Sequence, residues 1–185
     1  MTPAQGTDAN VGRAPSRQED SSLVRIRRIT MNDPLYPQEC ALREDVLLGP
    51  IGYDMTRFRA EFVGLEERFE HFVAVLGHNG SDRVVGCAAM LRDEPKKGLG
   101  RLTQMAVDLQ RQGEGVGRRL VVAVESRAFG ELGLSALVCH VPVSALGFFR
   151  NIGWIIEDEV FQEAGVPHRR AIMSYPTDEG DASEA

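Results

Sequence analysis

The chain has 185 residues, of which 43% are hydrophobic and 26% are charged, and its formal net charge is −6. This length suits one domain with one hydrophobic core, and the composition is that of an ordinary soluble globular protein. The acidic balance argues against a nucleic-acid partner, because nucleic acids attract basic surfaces. No apolar run approaches the roughly 18 residues that cross a bilayer, and no signal segment opens the chain, so we expect a cytoplasmic protein without a membrane span.

Both ends of the chain have the composition of disordered segments. Residues 1–21 are rich in Gly, Ala, Ser, Asp and Gln, and residues 177–185 are similarly poor in large apolar side chains. Such segments cannot bury enough surface to offset their loss of conformational entropy. We therefore predict one folded domain over residues 22–176, between two disordered tails.

Between these tails, strand-like and helix-like patterns of apolar residues follow one another. The first predicted elements are a strand Leu23–Ile29, a helix Pro37–Leu48, a second helix or mobile loop Met55–Phe69, a strand His71–Leu76, a turn Gly77–Asp82, a strand Arg83–Leu91, a loop Asp93–Gly100 and a strand Leu102–Val107. The later ones are a helix Arg118–Phe129, a strand Ala136–Val141, a short helix Ser144–Arg150 capped by Ser144, and a closing hairpin of Trp154–Phe161 and His168–Tyr175. Strands that first pair and are then linked by helices predict a mixed α/β sheet with helices on both faces.

The three cysteines, Cys40, Cys87 and Cys139, lie far apart and show no paired spacing. Neither a disulfide framework nor a zinc site is indicated, and we expect no bound metal. Cys87 and Cys139 lie in apolar strand-like runs, which predicts buried and reduced thiols.

The segment Gln112–Gly117 carries the most informative motif, with glycine at positions 113, 115 and 117. It follows an apolar strand that ends at Asp108 and opens an amphipathic helix. The first N–H groups of a helix have no partners within it, and the helix dipole adds a partial positive charge at that end. Glycines allow a phosphate to approach the backbone. The motif therefore predicts a pyrophosphate site.

Two common nucleotide motifs do not fit this segment. A P-loop needs lysine and then serine or threonine after the last glycine, whereas Arg118 and Arg119 follow Gly117 here. A dinucleotide fingerprint needs glycine three residues after its second glycine, where this chain has Arg118. The spacing alone leaves open a glycine-rich turn that binds no ligand.

What remains is Gln-x-x-Gly-x-Gly between a Met-Ala-Val-Asp strand end and a helix, which resembles the acetyl-CoA signature of the GNAT superfamily of N-acetyltransferases. Residues 145–154 resemble the family's helix that ends in Phe-Tyr-x-x-x-Gly-Phe. Residues 161–168 resemble a Phe-x-Glu-x-Gly-Ile-Pro-His turn of one bacterial branch, and residues 42–47 and 71–74 fit the same branch. The resemblance spans about residues 23–175, in the family's order.

The resemblance implies a mixed α+β fold with a central sheet of six to seven strands flanked by helices on both faces. It also implies that acetyl-CoA is the cosubstrate and that a primary amine of a small molecule or peptide receives its acetyl group by direct attack. A homodimer is a possible assembly. The backbone of Met105, Ala106 and Val107 would then pair with the pantetheine amides, and the Val107 N–H would polarise the thioester carbonyl. The other implied cofactor-binding residues are Gln112, Gly113, Glu114, Gly115, Val116, Gly117, Arg118 and Phe148. For Arg118, a solvated charge on the helix is an equal alternative.

An amine with a pKa near ~10 must lose its proton before it attacks, through a base or through water. The leading candidate is His140, which ends the strand beside the predicted thioester; the related branch tends to carry histidine there. His71 and His168 are weaker candidates because each also fits a structural role at a strand or turn, and His78 fits an exposed turn. The carboxylates considered as bases are Glu70, Glu125 and Glu163.

Two positions depart from the family's pattern. Phe149 stands where many members carry a tyrosine that protonates the leaving thiolate, and Pro142 stands where asparagine is frequent. A thiolate with a pKa near ~8.5 is still a fair leaving group. These departures favour, as the alternative, a non-catalytic acyl-CoA-binding module; a nucleotide-binding regulatory domain is a third function considered. Cys139 could serve a covalent route, although burial in its strand fits it better. The acceptor pocket is expected from residues 51–69 and the final hairpin.

Overall fold

A computed structural model describes residues 24–78 and 81–175. Its strands are β1 Val24–Ile29, β2 Glu70–His78, β3 Ser81–Arg92, β4 Leu99–Val107, β5 Ala136–Pro142, β6 Ile155–Glu163 and β7 Val166–Ser174. They form one sheet in the order β1-β2-β3-β4-β5-β7-β6. β4 and β5 pair in parallel, whereas the other neighbours are antiparallel. The predicted mixed sheet is confirmed; the two predicted tails lie outside the described residues.

In the described part of the chain, four α-helices connect these strands: α1 Tyr36–Arg43, α2 Met55–Glu61, α3 Val116–Glu125 and α4 Leu146–Asn151. Wide π-helical turns extend α1 through Glu44–Leu48 and α3 through Ser126–Glu131. Short 3₁₀ turns span Gly49–Ile51, Glu66–Arg68, Leu109–Arg111 and Val143–Ala145. α1 and α2 lie on one face of the sheet, and α3 and α4 lie on the other.

Three predicted local features differ from the structure. Of the segment Met55–Phe69, predicted as a second helix or a mobile loop, the helix covers only Met55–Glu61, and Gly64 follows with a φ of 77°, which helical backbone does not adopt. The turn predicted over Gly77–Asp82 is shorter, because β2 runs to His78 and β3 begins at Ser81.

The predicted Ser144 cap is also wrong. Ser144 lies inside the 3₁₀ turn that starts after Pro142, so it does not occupy the residue before α4, and no side-chain cap is found at that helix within the described residues. The chain reaches α4 already turning, which removes the position that a capping hydroxyl requires.

The core lies on both faces of the sheet. The predicted apolar face of α3 is confirmed, because Val116, Leu120, Val124 and Ala128 are all buried in the larger cluster against the sheet. The close approach of α3 depends on Gly86 of β3, where a Cβ would come within 2.9 Å of Val116 Cγ1. Cys87 and Cys139 are free and buried, as predicted.

A β-bulge divides β4 into two parts. Cys87 of β3 faces Ala106, and Ala89 faces Thr103, so two residues of β4 stand against one residue of β3. Gln104 takes the left-handed conformation there, with a φ of 48°. The extra residue reverses the faces: Leu102 packs in the cluster on the α3 side, whereas Ala106 packs in the cluster on the α1 side.

Among residues 24–78 and 81–175, no helix has both the length and the apolar character needed to cross a membrane.

Candidate active site

An opening between β4 and β5 dominates the centre of the sheet. The parallel pairing runs from Leu99 and Ala136 to Leu102 and Cys139 and then stops, although both strands continue in the described part of the chain. We call the space between Thr103–Val107 and His140–Pro142 the β4–β5 wedge. An extended ligand can lie in such a space and use the free edge of β4 as a strand partner.

Part of the β4 backbone directs its N–H groups into this wedge. The Asp108 N–H donates to the Val85 carbonyl of β3 at 3.0 Å. Neighbouring residues of an antiparallel strand direct their N–H groups to opposite sides, so the Val107 N–H points away from β3 and into the β4–β5 wedge. This is the orientation that the predicted role of Val107 requires. The role itself stays a prediction.

The glycine-rich turn lies at the wide end of the wedge. Gly113 and Gly115 have φ angles of 82° and 81°, and Gly115 immediately precedes α3. No side chain of the described residues caps this helix, so the N–H groups of Val116, Gly117 and Arg118 are left for solvent or a ligand. The turn therefore offers several parallel donors at the positive end of a helix.

Gly117 has a different role from the other two glycines. A Cβ there would lie 3.1 Å from Met105 Cε and 3.3 Å from the Phe148 ring. The absence of a side chain lets α3, β4 and α4 come together below the turn. Met105 and Phe148, both predicted to contact the cofactor, are thus brought to one place.

Two polar side chains of the predicted motif make local contacts. Gln112 donates through its Nε2 to the Val107 carbonyl at 3.3 Å, which ties the turn to the end of β4. Glu114 lies 3.3 Å from the Arg111 guanidinium. Arg118 is exposed at the start of α3, so both roles considered for it are still open.

His140 joins a polar cluster on the other side of the sheet from α3. Its neighbours Cys139 and Val141 pack in the α3-side core, so the imidazole of His140 projects to the opposite face. There its Nδ1 lies 2.5 Å from Glu163 Oε2 and 3.0 Å from the Arg101 guanidinium. Arg101 also lies 3.4 Å from Glu163 Oε1. We call Arg101, His140 and Glu163 the wedge triad.

The wedge triad brings together residues of three strands, β4, β5 and β6. Sequence reasoning considered His140 and Glu163 as separate bases and missed Arg101. A pattern within one strand carries no signal for such a cluster, because its members are 39 and 23 residues apart. The irregular pairing between β6 and β7 at Ile156 and Val160 adds to the difficulty, since it shifts the register of β6.

The other candidate bases lie elsewhere. Glu70 receives hydrogen bonds from Arg127 at 2.7 and 3.2 Å, at the end of β2 away from the glycine-rich turn. Glu125 accepts from Trp154 Nε1 at 2.9 Å, and burial raises its pKa more than this hydrogen bond lowers it. The Nδ1 of His168 lies 2.8 Å from the Val166 carbonyl, which fits the structural role considered for it. His78 ends β2.

His71 belongs to a second polar cluster that the sequence did not reveal. Its Nδ1 lies 2.8 Å from Glu39 Oε1, and its side chain is buried. In the same cluster Arg43 makes two hydrogen bonds to Glu66, at 2.5 and 3.1 Å, and Tyr36 donates to Glu66 at 2.7 Å. We call Tyr36, Glu39, Arg43, Glu66 and His71 the buried cluster.

The buried cluster reaches the β4 bulge. Arg43 Nε donates to Gln104 Oε1 at 3.1 Å, so a buried guanidinium holds the residue that adopts the left-handed conformation. Burial raises the pKa of Tyr36, and the neighbouring Glu66 carboxylate raises it further. The position of these groups indicates a structural role, because they lie under α1 rather than in the β4–β5 wedge.

Phe149 is buried against Trp154, with ring centroids 5.3 Å apart. It supplies no proton, in agreement with the departure noted in the sequence. Cys139 is buried as well, and burial raises the pKa of its thiol to about 12, which disfavours a thiolate nucleophile.

Comparison with known proteins agrees with this architecture. Residues 48–174 match a family model described as an acetyltransferase (GNAT) domain. No curated protein sequence matches the chain.

Several solved structures share the fold. An IAA acetyltransferase from Bacillus cereus is 23% identical, with a TM-score of 0.58, and the alignment covers 82% of this chain and 99% of that one. An acetyltransferase from Bacillus subtilis in complex with CoA is 18% identical, and a GNAT family acetyltransferase from Elizabethkingia anophelis with acetyl-CoA bound is 17% identical. Each of these two gives a TM-score of 0.58 and covers 83% of this chain and 99% of its own. With the family match spanning more than half of its residues, this chain belongs to the GNAT acetyltransferase family.

Proposed function

We propose that this protein transfers the acetyl group of acetyl-CoA to a primary amine of a small molecule or peptide, by direct attack of the amine on the thioester. The observation that carries the proposal is the β4–β5 wedge, which has free strand edge along one side and an uncapped helix at its wide end. Structural neighbours crystallised with CoA and with acetyl-CoA support the same cosubstrate. We also propose that residues 22–176 form the acetyltransferase domain. The cytoplasmic location and the homodimer stay predictions.

The glycine-rich turn would hold the diphosphate. Hydrogen bonds to a charged group contribute about 1.5–3 kcal/mol each, so the N–H groups at Gly115 to Arg118 could anchor the cosubstrate without a lysine. The pantetheine arm would extend along β4 from Val107 toward the bulge, beside Met105 and Phe148. Ala106 would lie beside the arm without bonding it, because its N–H alternates with that of Val107 and points to β3, and its side chain is buried on the α1 side.

The position of the thioester follows from the length of this arm. Val107 lies next to the turn, whereas the bulge at Gln104 lies three residues further down the wedge. We therefore assign an amide of the arm to the Val107 N–H, and we assign the thioester carbonyl to a free N–H nearer the bulge, at Met105. The prediction that Val107 itself polarises the carbonyl is the alternative.

Amine deprotonation would depend on His140. A neutral imidazole accepts a proton directly or through one water, and His140 follows Cys139, the last residue of β5 that pairs with β4. The wedge triad lies on the sheet face opposite α3, where an acceptor can approach the thioester from the side away from the core. The departing thiolate needs no tyrosine at Phe149, since a thiol with a pKa near ~8.5 leaves readily.

The first test compares two glycine variants that have equal backbone strain and equal charge change. Gly115→Asp introduces a carboxylate at the mouth of α3, whereas Gly64→Asp introduces one at a remote site with a φ of 77°. We expect calorimetry to show CoA binding lost in Gly115→Asp, because the new anion repels the diphosphate, and retained in Gly64→Asp. Equal CoA affinity in both variants would contradict the proposed diphosphate site.

Turnover is tested with acetyl-CoA and a panel of amines, by following thiol release. If the protein binds CoA tightly but no amine of the panel leads to thiol release, it would instead be the non-catalytic acyl-CoA-binding module, which Phe149 and Pro142 favour.

A further inference from the structure

We propose that Glu163 is a positioning residue that fixes the proton of His140 on Nδ1 and leaves Nε2 as the basic atom. This inference rests on the proposed function, and it assigns to Glu163 a role that acts through His140 rather than on the substrate.

The distances give the first step of the argument. A carboxylate oxygen can only accept hydrogen bonds, and Glu163 Oε2 lies 2.5 Å from His140 Nδ1. Such a short contact is favourable only if Nδ1 carries a hydrogen. In a neutral imidazole the other nitrogen then keeps its lone pair, so Nε2 is the atom able to take a proton from the ammonium group.

Arg101 makes this choice of tautomer dependent on Glu163. The Arg101 guanidinium lies 3.0 Å from the same Nδ1, and a guanidinium can only donate. Arg101 and Glu163 therefore favour opposite tautomers, because Nδ1 cannot donate to the carboxylate and accept from the guanidinium at the same time. The shorter contact and the negative charge of Glu163 decide for the Nδ1–H tautomer.

The strands around His140 add no further group at Nδ1 among the described residues. Arg170 lies opposite His140 on β7, and its guanidinium is 3.5 Å from Glu157. The rings of Phe161 and His140 meet in a T-shaped contact with centroids 4.8 Å apart, and His168 stacks on Phe161 with centroids 6.1 Å apart. The imidazole is thus held by an aromatic contact, and its proton is set by Glu163.

Without the carboxylate, Arg101 would donate to the Nδ1 lone pair and the hydrogen would move to Nε2. His140 would then present a donor instead of a base to the amine. Removing Glu163 should therefore act on the reaction rather than on CoA binding, because the glycine-rich turn and the backbone of β4 are untouched.

The test combines ¹⁵N spectra of the histidines with kinetics in Glu163→Leu, because leucine has no oxygen that could still accept from Nδ1. Glu157→Leu is the matched control, because Glu157 lies on the same strand, has a side-chain exposure of 39% against 43% for Glu163, and loses the same charge. At a pH where the imidazole is neutral, we expect His140 to be the Nδ1–H tautomer in the wild type and in Glu157→Leu, and the Nε2–H tautomer in Glu163→Leu. We expect kcat/KM to fall about 100-fold in Glu163→Leu only, the lower end of what a general base contributes.

Two outcomes would overturn the inference. One is a wild-type His140 that carries its hydrogen on Nε2; the other is a Glu163→Leu variant whose tautomer and kcat/KM match those of Glu157→Leu. If the wild type turned over no amine at all, the proposed function would fail, and the spectra would still decide the position of the proton.

Discussion

The wedge triad and the buried cluster contain the same kinds of groups in very different surroundings. Each has an arginine, a histidine and at least one glutamate. In the buried cluster, Arg43 and Glu39 have no exposed side-chain surface. In the wedge triad, the exposed fractions are 26% for Arg101, 32% for His140 and 43% for Glu163.

This difference in exposure suits the buried cluster to a structural role and the wedge triad to a role in the proposed reaction. Charges that are fully removed from water must be compensated by fixed partners, and a change in protonation there would leave an unpaired charge. Charges at the edge of a wedge remain partly hydrated, so their pairing contributes little to stability. The same residue types therefore support the β4 bulge in one place and, in the other, lie where the proposed acceptor would be deprotonated.

The largest effect is expected from removing one member of the buried cluster. Arg43→Met should lower the free energy of unfolding by about 3–5 kcal/mol, because Glu66 and Glu39 would stay buried without their cation. Arg101→Met should change it by less than about 1 kcal/mol, since its partners are partly hydrated. Urea unfolding of both variants measures the two values.

A double variant separates the charge from the packing. Arg43→Met combined with Glu66→Leu removes both charges of the bidentate pair, and we expect it to recover part of the loss. Equal destabilisation by Arg43→Met and Arg101→Met would contradict the distinction between the two clusters.

A smaller effect is expected from pH. Burial alone would raise the pKa of Glu66, but the hydrogen bonds and charge of Arg43 outweigh it and lower the pKa below its usual value. The folded pKa is thus below the unfolded one, near ~4.3, so Glu66 stabilises the fold above pH ~4.3 and this contribution is lost as the pH falls through the folded pKa. The unfolding free energy measured from pH 6 to pH 3 should fall less steeply in Glu66→Gln than in the wild type. Parallel curves would contradict this assignment.

The smallest effect concerns the thiol beside the wedge triad. Cys139 adjoins His140 on β5 but faces the core, and burial raises the pKa of its thiol to about 12. Burial also raises the pKa of Cys87. We expect iodoacetamide at pH 8 to leave both unmodified in the native protein and to alkylate both in urea, as measured by mass spectrometry. Rapid native alkylation of Cys139 would show that the core side of β5 is open.

Sequence reasoning predicted the features that depend on local patterns. The glycine-rich turn, the apolar face of α3 and the closing hairpin each occupy a short stretch, where period and glycine positions carry the information. It also recognised Phe149 as a position without a hydroxyl. These elements were enough to identify the sheet and its family.

The missed features depend on contacts between distant residues. The bulge at Gln104 is invisible in a run that reads as one strand, because it needs the register against β3 and the hydrogen bond from Arg43. The wedge triad likewise forms only because Glu163 of β6 reaches His140 of β5, although β7 lies between these two strands in the sheet. For the same reason nothing in the sequence of α1 marks Glu39 and Arg43 as buried, although both are fully buried.

The extra residue of β4 changes the alternation of its side chains, so the two parts of the strand follow opposite patterns. Up to Leu102 the even-numbered side chains enter the α3-side core, and after the bulge Ala106 enters the other one. A regular pairing of the same residues, without the bulge, would exchange the two faces from Met105 onward and turn the Val107 N–H toward β3. Deleting Gln104 would remove the bulge but keep the pairs Ala89–Thr103 and Cys87–Ala106, and with them the present faces. The bulge, and not the composition of the run, therefore decides which way the end of β4 faces.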